Sequence, residues 1–244
     1  MDEKELKTSP KQRIFIILIA ILMLGSMIAG YIAIVLNGSK SSGTTGNGET
    51  EVDPEKIAEY EEAYNKVKDK FAKETKGDFD EFMKFKSEIK AYNETSANEG
   101  GVQVKDLKKG TGKEIKEGDS NYLAYYVGWC ADESIFDSSL DDSSNPKAFA
   151  KILDASLGMI EGWSKGVEGM KIEGIREITV PGELAYGESM EICGGKNKPL
   201  KFMIMAKEKK EPLSTLSNEL DEAYMRLQYA NYGIDYDSVK SNSE

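Results

Sequence analysis

The sequence predicts an α+β domain in which several antiparallel strands fold around one short helix, with helical segments before and after it. Residues 101–208 contain apolar and aromatic-rich runs, bounded by glycine and polar residues, that are typical of strands. The segments 53–94 and 212–233 carry apolar residues at spacings of three and four, which indicates amphipathic helices. Residues 14–36 contain no charged residue and no proline, which predicts a transmembrane helix ahead of the domain.

The uncharged stretch Ile14–Leu36 is long enough to cross a bilayer. As a helix it would span about 35 Å, against about 30 Å for the hydrocarbon core. A cleaved signal peptide is the alternative, but no clear small-residue cleavage site follows the stretch. Basic residues cluster in 1–13, which predicts a cytoplasmic N-terminus and a single-pass protein of the cell membrane with the rest outside the cytoplasm. Residues 37–52 are rich in Ser, Gly and Thr and predict a flexible linker.

The composition excludes several classes of site. The 244 residues include no histidine, which excludes a Ser-His-Asp triad and the usual histidine-containing zinc sites. The formal net charge is -11, which argues against nucleic acid as a partner. We expect no metal ion, and nothing in the sequence implies a cofactor.

A helical hairpin is predicted over residues 53–94. Asp53 and Pro54 suit a helix start, since Asp caps free N–H groups and Pro fits the first turn. Gly77 suits the end of this helix, and Asp78 begins a capping-box pattern for a second one. The two apolar stripes comprise Ile57, Tyr60, Tyr64, Val67 and Phe71, then Phe82, Phe85, Ile89 and Tyr92. These stripes pack on each other or on the next domain, or they form a homodimer.

Strand patterns and one short helix pattern follow in residues 101–208. The aromatic and apolar run Tyr122–Trp129 predicts a buried strand, and Ile175–Val180 and Leu200–Ala206 also have the pattern of strands. Ile160–Gly169 is helix-like, short and flanked by glycine. Several strands around one short helix make this an α+β domain.

A C-terminal helix is predicted within residues 212–233, and 234–244 form a tail. Pro212 interrupts the chain, and the helix should run from about residue 214 to 231. Its apolar positions are Leu213, Leu216, Leu220, Tyr224 and Leu227. This stripe needs a cover, and the segment 53–94 is the obvious candidate, within one chain or across a dimer.

Five short motifs follow one another in residues 101–208. They are Tyr122–Gly128, Phe136–Ser139, Gly158–Trp163, Ala185–Gly187 and Leu200–Phe202. In this order and at these spacings they resemble the FKBP-type (tacrolimus-binding) peptidyl-prolyl isomerases, over about 108 of the 244 residues. The resemblance implies an FKBP-like fold, in which an antiparallel half-barrel sheet wraps around one short helix. It also implies cis-trans isomerisation of X-Pro bonds, with proline-containing unfolded or partly folded polypeptides as partners.

The resemblance implies one substrate cleft and a role for each of its residues. Trp163 would lie under the proline ring as the floor, and the Tyr186 hydroxyl would donate to a carbonyl near the rotating bond. Asp137 would accept a hydrogen bond from the Tyr126 hydroxyl. The Ile160 N–H would donate to another substrate carbonyl. The walls would be Tyr126, Phe136 and Phe202, and the rim would be Met159, Ile160 and, in an uncertain register, Ile192.

Two segments depart from the family's pattern. Residues 188–199 replace an apolar, proline-containing loop that many members have after the Ala-Tyr-Gly motif. The family often has a further aromatic wall after the Phe-Asp-Ser-Ser motif, and Phe149 is the nearest aromatic here. Both departures bear on substrate preference and tacrolimus affinity more than on the basic activity.

Two other groups of side chains have a structural and a functional interpretation. Cys130 ends the predicted pocket strand and Cys193 lies in the loop after Tyr186, so a disulfide would hold that loop in an oxidising compartment. Two free thiols are the alternative. Asp137, Asp141 and Asp142 form an acidic cluster without EF-hand spacing, which favours a solvated loop over a calcium site.

The sequence therefore predicts a membrane-tethered prolyl isomerase that assists the folding of exported proteins. One rival is a non-catalytic adaptor of the same fold in a surface assembly, which the unusual loop 188–199 favours. A second rival is a scaffold of a surface assembly, in which the helices carry the function and the β domain is a spacer. Retention of Tyr126, Asp137, Trp163 and Tyr186 argues for the enzyme.

Overall fold

A computed structural model describes residues 52–241, in which an antiparallel sheet has helices packed on both faces. Within this range the α-helices are α1 (Pro54–Glu74), α2 (Lys76–Met83), α3 (Glu94–Glu99), α4 (Glu161–Val167), α5 (Leu213–Asn231) and α6 (Tyr236–Ser241). The strands are β1 (Gln103–Lys108), β2 (Tyr122–Trp129), β3 (Ile135–Ser138), β4 (Leu153–Asp154), β5 (Ile175–Val180) and β6 (Leu200–Glu208). The strand order is β1-β5-β6-β2-β3, and β4 also pairs with β2. The predicted α+β sheet is confirmed.

The central strand β2 is buried on both faces of the sheet, which explains its unbroken apolar run. Successive side chains of a strand point to opposite faces. Tyr122, Ala124 and Tyr126 face α4, in one hydrophobic cluster. We call this side the site face. The alternate residues Leu123, Tyr125, Val127 and Trp129 belong to a second cluster, on what we call the opposite face.

Helices from both ends of the described chain cover the opposite face. Helix α1 runs antiparallel to α5, since Tyr64 lies beside Tyr224 and Lys70 pairs with Glu219 at 3.0 Å. The members that these helices and α2 add to the cluster are Phe71, Phe79, Phe82, Leu216 and Leu220. The apolar stripes of α1 and α5 therefore meet each other and the sheet within one chain.

Helix α1 begins as its capping residues predict and ends before the predicted position. The Asp53 carboxylate accepts the N–H groups of Glu55 at 2.9 Å and Lys56 at 3.3 Å, which caps the first turn. At the other end Thr75 is the C-cap, and its hydroxyl donates to the carbonyl of Phe71 at 2.8 Å. Gly77, the predicted end of this helix, instead lies inside α2.

The predicted hairpin is wrong in its second helix. Helix α2 ends at Met83. Beyond it Phe85 and Ile89 flank a 3₁₀ turn, Lys86–Glu88, and Tyr92 follows in non-helical chain. Their apolar side chains still pack in the opposite-face cluster. The cause is tertiary, because the non-helical segment lies against the end of β2: Trp129 Nε1 donates to the carbonyl of Lys90 at 3.1 Å.

The predicted membrane anchor is not part of the described structure. Between residues 52 and 241, no helix is both long and apolar enough to cross a membrane. This finding contradicts the predicted fold class, which included a transmembrane helix, and the predicted localisation as a single-pass membrane protein. The predicted segments 1–13, 14–36 and almost all of 37–52 lie outside the described residues.

Candidate functional site

Two aromatic rings contact Trp163 on the site face, and a third ring contacts one of these two. The Trp163 ring meets Tyr126 edge-on, with centroids 5.7 Å apart, and meets Phe202 with centroids 5.3 Å apart. Phe136 contacts Phe202 edge-on at 5.6 Å. Edge-to-face contacts at these distances are favourable because a positive ring edge meets a negative ring face. The arrangement is an apolar aromatic box in which Trp163 is only 3% exposed.

Gly128 makes room for two of these rings. It stands opposite Phe202 in the β2–β6 register, where strands bring side chains close. A Cβ atom added to Gly128 would lie 2.7 Å from Cζ of Phe136 and 3.0 Å from the Phe202 ring. Any side chain here would push the Phe136–Phe202 pair apart, so the glycine of the first motif is a requirement of the box.

Tyr122 fixes the orientation of the Trp163 ring. Trp163 Nε1 donates to the Tyr122 hydroxyl at 3.1 Å in a buried hydrogen bond. Burial raises the pKa of Tyr122 to about 12, so the hydroxyl stays neutral. Sequence reasoning assigned Tyr122 no role. The alternation of β2 could have found it, because Tyr122 and Tyr126 are four residues apart on one face.

Asp137 forms the polar edge of the box. The Tyr126 hydroxyl donates to one of its carboxylate oxygens. Lys151 donates to the other at 2.7 Å, and its ammonium lies 5.5 Å from the centroid of the Tyr126 ring. Burial, and then the Asp137 charge, raise the pKa of Tyr126 well above its usual value. Lys151 was also missed by sequence reasoning, which looked for an aromatic residue in this segment.

Phe149, the aromatic considered as a further wall, lies on the opposite face of the sheet. It is fully buried and stacks on Tyr125, with centroids 3.9 Å apart. Phe79 and Phe82 of α2 meet the same ring edge-on at 5.4 and 5.5 Å. Phe149 therefore joins α2 to the sheet and does not line the aromatic box.

Tyr186 is presented by a compact turn at the edge of the site. A 3₁₀ turn, Gly182–Leu184, precedes it, and the N–H of Gly187 donates back to the carbonyl of Gly182 at 2.9 Å. Burial raises the pKa of Tyr186 to about 12, and the Asp137 charge adds to this. Its hydroxyl makes no hydrogen bond to any residue between 52 and 241, so it is available to a ligand.

The predicted rim residues lie around the same cluster. Met159 and Ile160 are half-buried against it, just before α4. The Ile160 carbonyl accepts the N–H of Trp163 at 3.0 Å and so begins the helix. Ile192 is buried in the same cluster and sits beside the disulfide Cys130–Cys193, whose Cα atoms are 5.4 Å apart. The loop that follows Tyr186 is thus bound covalently to the end of β2.

Comparison with known proteins identifies the family. Residues 112–207 match the profile of the FKBP-type peptidyl-prolyl cis-trans isomerases. An FK506-binding protein of Neisseria meningitidis serogroup B is 38% identical over 91 residues, which are 36% of this chain and 76% of that protein. The chain belongs to the FKBP-type peptidyl-prolyl cis-trans isomerase family. It is accordingly a peptidyl-prolyl cis-trans isomerase.

Two further proteins resemble part of this isomerase. The 39 kDa FK506-binding nuclear protein of Drosophila melanogaster is 40% identical over 92 residues, 36% of this chain and 23% of that protein. A solved peptidyl-prolyl cis-trans isomerase of Pseudomonas syringae pv. tomato is 24% identical and covers 55% of this chain and 93% of its own, with a TM-score of 0.34. That TM-score is too low to support an argument.

The acidic loop of the isomerase is organised by its own backbone. Asp141 Oδ1 accepts the N–H groups of Asp142, Lys147 and Ala148 at 3.0, 2.9 and 3.2 Å. Asp142 likewise accepts the N–H of Ser144 at 2.7 Å. Over the part of the chain that the structure describes, no group of three acidic or cysteine side chains could hold a metal ion.

The pH dependence of the isomerase should follow its tyrosines. The raised pKa values of Tyr122, Tyr126 and Tyr186 keep these phenols neutral below about pH 10, the pKa of a tyrosine in an unfolded chain. We expect kcat/KM to be flat from about pH 7 to about pH 10. Between about pH 10 and 12 the unfolded chain releases protons that the folded chain keeps, so stability is lost as pH rises. Activity and tyrosinate absorbance against pH test this; a drop in kcat/KM near pH 8 would contradict it.

Proposed function

We propose that this isomerase binds the proline ring of its substrate in the aromatic box and turns the X-Pro bond there. Trp163 is the floor, and Tyr126, Phe136 and Phe202 are the walls. The Tyr186 hydroxyl and the Ile160 N–H donate to substrate carbonyls on either side of the bond. The observation that carries this proposal is the contact of Trp163 with two other rings beside a tyrosine hydroxyl that has no acceptor among residues 52–241.

The barrier to rotation explains why such a box is sufficient. A planar amide owes its barrier of about 18–20 kcal/mol to resonance that places negative charge on the carbonyl oxygen. Water stabilises this polar planar form, and an apolar box stabilises it less. Transfer of the bond from water to the box therefore favours the twisted, less polar transition state. The reaction breaks no covalent bond and needs neither nucleophile nor proton relay.

The polar groups of the site hold the substrate while the bond turns. Hydrogen bonds from Tyr186 and from the Ile160 N–H would keep the flanking chain fixed, so that only the bond before proline rotates. Asp137 accepts hydrogen bonds from the Tyr126 hydroxyl and the Lys151 ammonium, and these bonds hold the Tyr126 ring in its edge-on contact with Trp163. Met159 and Ile192 extend the apolar surface to the residues that flank the proline.

The substrates that we propose are unfolded or partly folded exported polypeptides. Uncatalysed X-Pro isomerisation takes tens to hundreds of seconds and can limit folding. The Cys130–Cys193 bridge supports substrates that fold under oxidising conditions, because disulfides persist there and are rare in reducing compartments. Acceleration of a proline-limited refolding reaction in oxidising buffer tests this choice. An isomerase that is equally active on peptides but inactive on such a refolding chain would contradict it.

Replacement of Tyr186 by phenylalanine is expected to lower kcat/KM by roughly 2- to 10-fold, since one hydrogen bond to the substrate is worth about 0.5–1.5 kcal/mol. The measurement is protease-free isomerisation of a proline-containing peptide by the 244-residue chain. Tyr224→Phe on α5, remote from Trp163, is the matched control and should keep full activity. Full activity of Tyr186→Phe would show that the Tyr186 hydroxyl does not bind the substrate. If the folded unmutated chain does not accelerate isomerisation of the peptide, the proposed catalysis is wrong, and the non-catalytic adaptor is the better interpretation.

A further inference from the structure

The segment just before β1 contacts the loop that follows β5 at three points. Asn98 Oδ1 accepts the N–H of Gly182 at 2.8 Å. Glu94 pairs with Lys198 at 2.7 Å. Further back, the Tyr92 hydroxyl donates to the carbonyl of Pro199 at 2.7 Å. The two segments are about a hundred residues apart in sequence, so these contacts are purely tertiary.

The loop between β5 and β6 depends on such anchors for its shape. Residues 181–199 contain one short 3₁₀ turn and no named strand. Gly187, Cys193 and Asn197 have φ values of 53°, 57° and 52°, in the left-handed region that costs free energy for residues other than glycine. A loop of this kind keeps one conformation only where its neighbours hold it. The disulfide does so at Cys193.

Gly182 is the point at which the Tyr186 turn closes. Its carbonyl accepts the N–H groups of Ala185 at 3.1 Å and Gly187 at 2.9 Å, on either side of Tyr186. Its own N–H goes to Asn98. An added Cβ would lie 2.1 Å from the carbonyl oxygen of Asn197, so only glycine fits here. Movement of Gly182 would therefore move the turn that carries the Tyr186 hydroxyl.

We propose that Asn98 is a positioning residue for the isomerase reaction: it holds Gly182, and through Gly182 the turn that directs Tyr186 at the substrate. This inference rests on the proposed function, in which Tyr186 donates to the substrate. Asn98 lies outside the family match, which begins at residue 112. The segment ahead of the isomerase domain thus contributes to the geometry of the active site.

The effect should appear in catalysis more than in folding. Asn98 is an exposed residue on the six-residue helix α3, and its bond to Gly182 is one neutral hydrogen bond. Because Asn98 acts through Tyr186, loss of the Tyr186 hydroxyl sets the upper limit of the effect. We expect Asn98→Ala to lower kcat/KM by roughly 2- to 5-fold, a part of that loss, because the turn retains its other anchors. Asn98→Asp keeps an oxygen acceptor and should retain at least about half of the activity.

The test uses the 244-residue chain and three variants with two readouts. Kinetics are measured for Asn98→Ala, Asn98→Asp and the control Thr95→Ala, which lies on the same helix and has no hydrogen bond to the loop within residues 52–241. Each is also combined with Tyr186→Phe. The second readout is the NMR signal of the Tyr186 ring in protein labelled at tyrosine, assigned by its loss in Tyr186→Phe.

The expected result is a shifted Tyr186 signal in Asn98→Ala, rescue by Asn98→Asp, and no additional loss of kcat/KM when Asn98→Ala is added to Tyr186→Phe. An unshifted signal, or a loss that simply multiplies with that of Tyr186→Phe, would overturn the proposal. If Tyr186→Phe alone keeps full activity, the proposed role of Tyr186 fails separately. The Tyr186 signal then decides alone whether Asn98 positions the turn.

Discussion

Replacement of Trp163 by leucine is expected to lower kcat/KM for prolyl isomerisation by about 10²-fold, with the fold retained. Trp163 contacts Tyr126 and Phe202 edge-on, and its Nε1 is held by Tyr122. Leucine would keep the apolar character of the site and lose the flat surface that supports a proline ring. The bound proline would then shift relative to the groups that hold the flanking carbonyls. Peptide isomerisation measures the loss, and circular dichroism verifies the fold.

Phe149→Leu is the matched control for this prediction. Phe149 is an equally buried aromatic, but it lies on the opposite face of the sheet and stacks on Tyr125. Its replacement should lower the free energy of unfolding by about 1–3 kcal/mol, through lost ring contacts and a cavity, with kcat/KM nearly unchanged. Equal losses of kcat/KM in the two variants would show that activity reports only general stability, and the aromatic box would lose its proposed role.

Removal of the disulfide is expected to lower the free energy of unfolding by about 4 kcal/mol, the size of the entropy that such a cross-link removes from the unfolded chain. Cys130 and Cys193 are 63 residues apart, so the bridge closes a long loop and restricts the unfolded chain strongly. The measurement is denaturant unfolding of Cys130→Ser/Cys193→Ser against the oxidised unmutated protein. Unmutated protein with its thiols reduced is the control and should match the double variant.

The same variant should also lose activity, since Ile192 next to the bridge belongs to the apolar cluster of the site. Treatment of the unmutated protein with a mild oxidant is a further control. It should change neither the free energy of unfolding nor kcat/KM, because the bridge is already formed. A double variant that is as stable and active as the oxidised protein would show that the bridge constrains neither the unfolded chain nor the loop.

Much of the sheet could be predicted from local patterns, and the residues proposed for the site were supplied by the family resemblance. The segments predicted as strands coincide with β2 and β5 and nearly with β6, since β-branched, aromatic and other apolar side chains suit a buried strand. The C-terminal helix, predicted over about 214–231, spans Leu213–Asn231. Four of the residues to which the resemblance gave a role, Tyr126, Trp163, Phe202 and Ile192, lie buried in one cluster, and Phe136, Met159, Ile160 and Tyr186 pack against it.

Sequence reasoning did not decide outcomes that depend on distant contacts. Phe149, the aromatic nearest to the expected wall position, lies on the opposite face, where Phe79 and Phe82 of α2 contact its ring. The apolar residues Phe85, Ile89 and Tyr92 have helical spacing, yet they lie along the sheet on either side of a 3₁₀ turn and in non-helical chain. A periodic stripe shows that a segment has an apolar face, but it does not show which surface that face meets.

The sequence by itself determined the strands, the amphipathic helices and the order of the motifs that give the family, because these depend on residues close together in the chain. The sequence named residues 53–94 as the candidate cover for the C-terminal helix, but only the tertiary structure decided that α1 and α5 pair within one chain and cover the opposite face of β2. The tertiary structure also decided that Lys151 joins Asp137 and that Asn98 reaches Gly182, 84 residues later. Burial of the apolar faces brings distant segments of the chain together. The polar groups that become buried between these segments then form hydrogen bonds with each other.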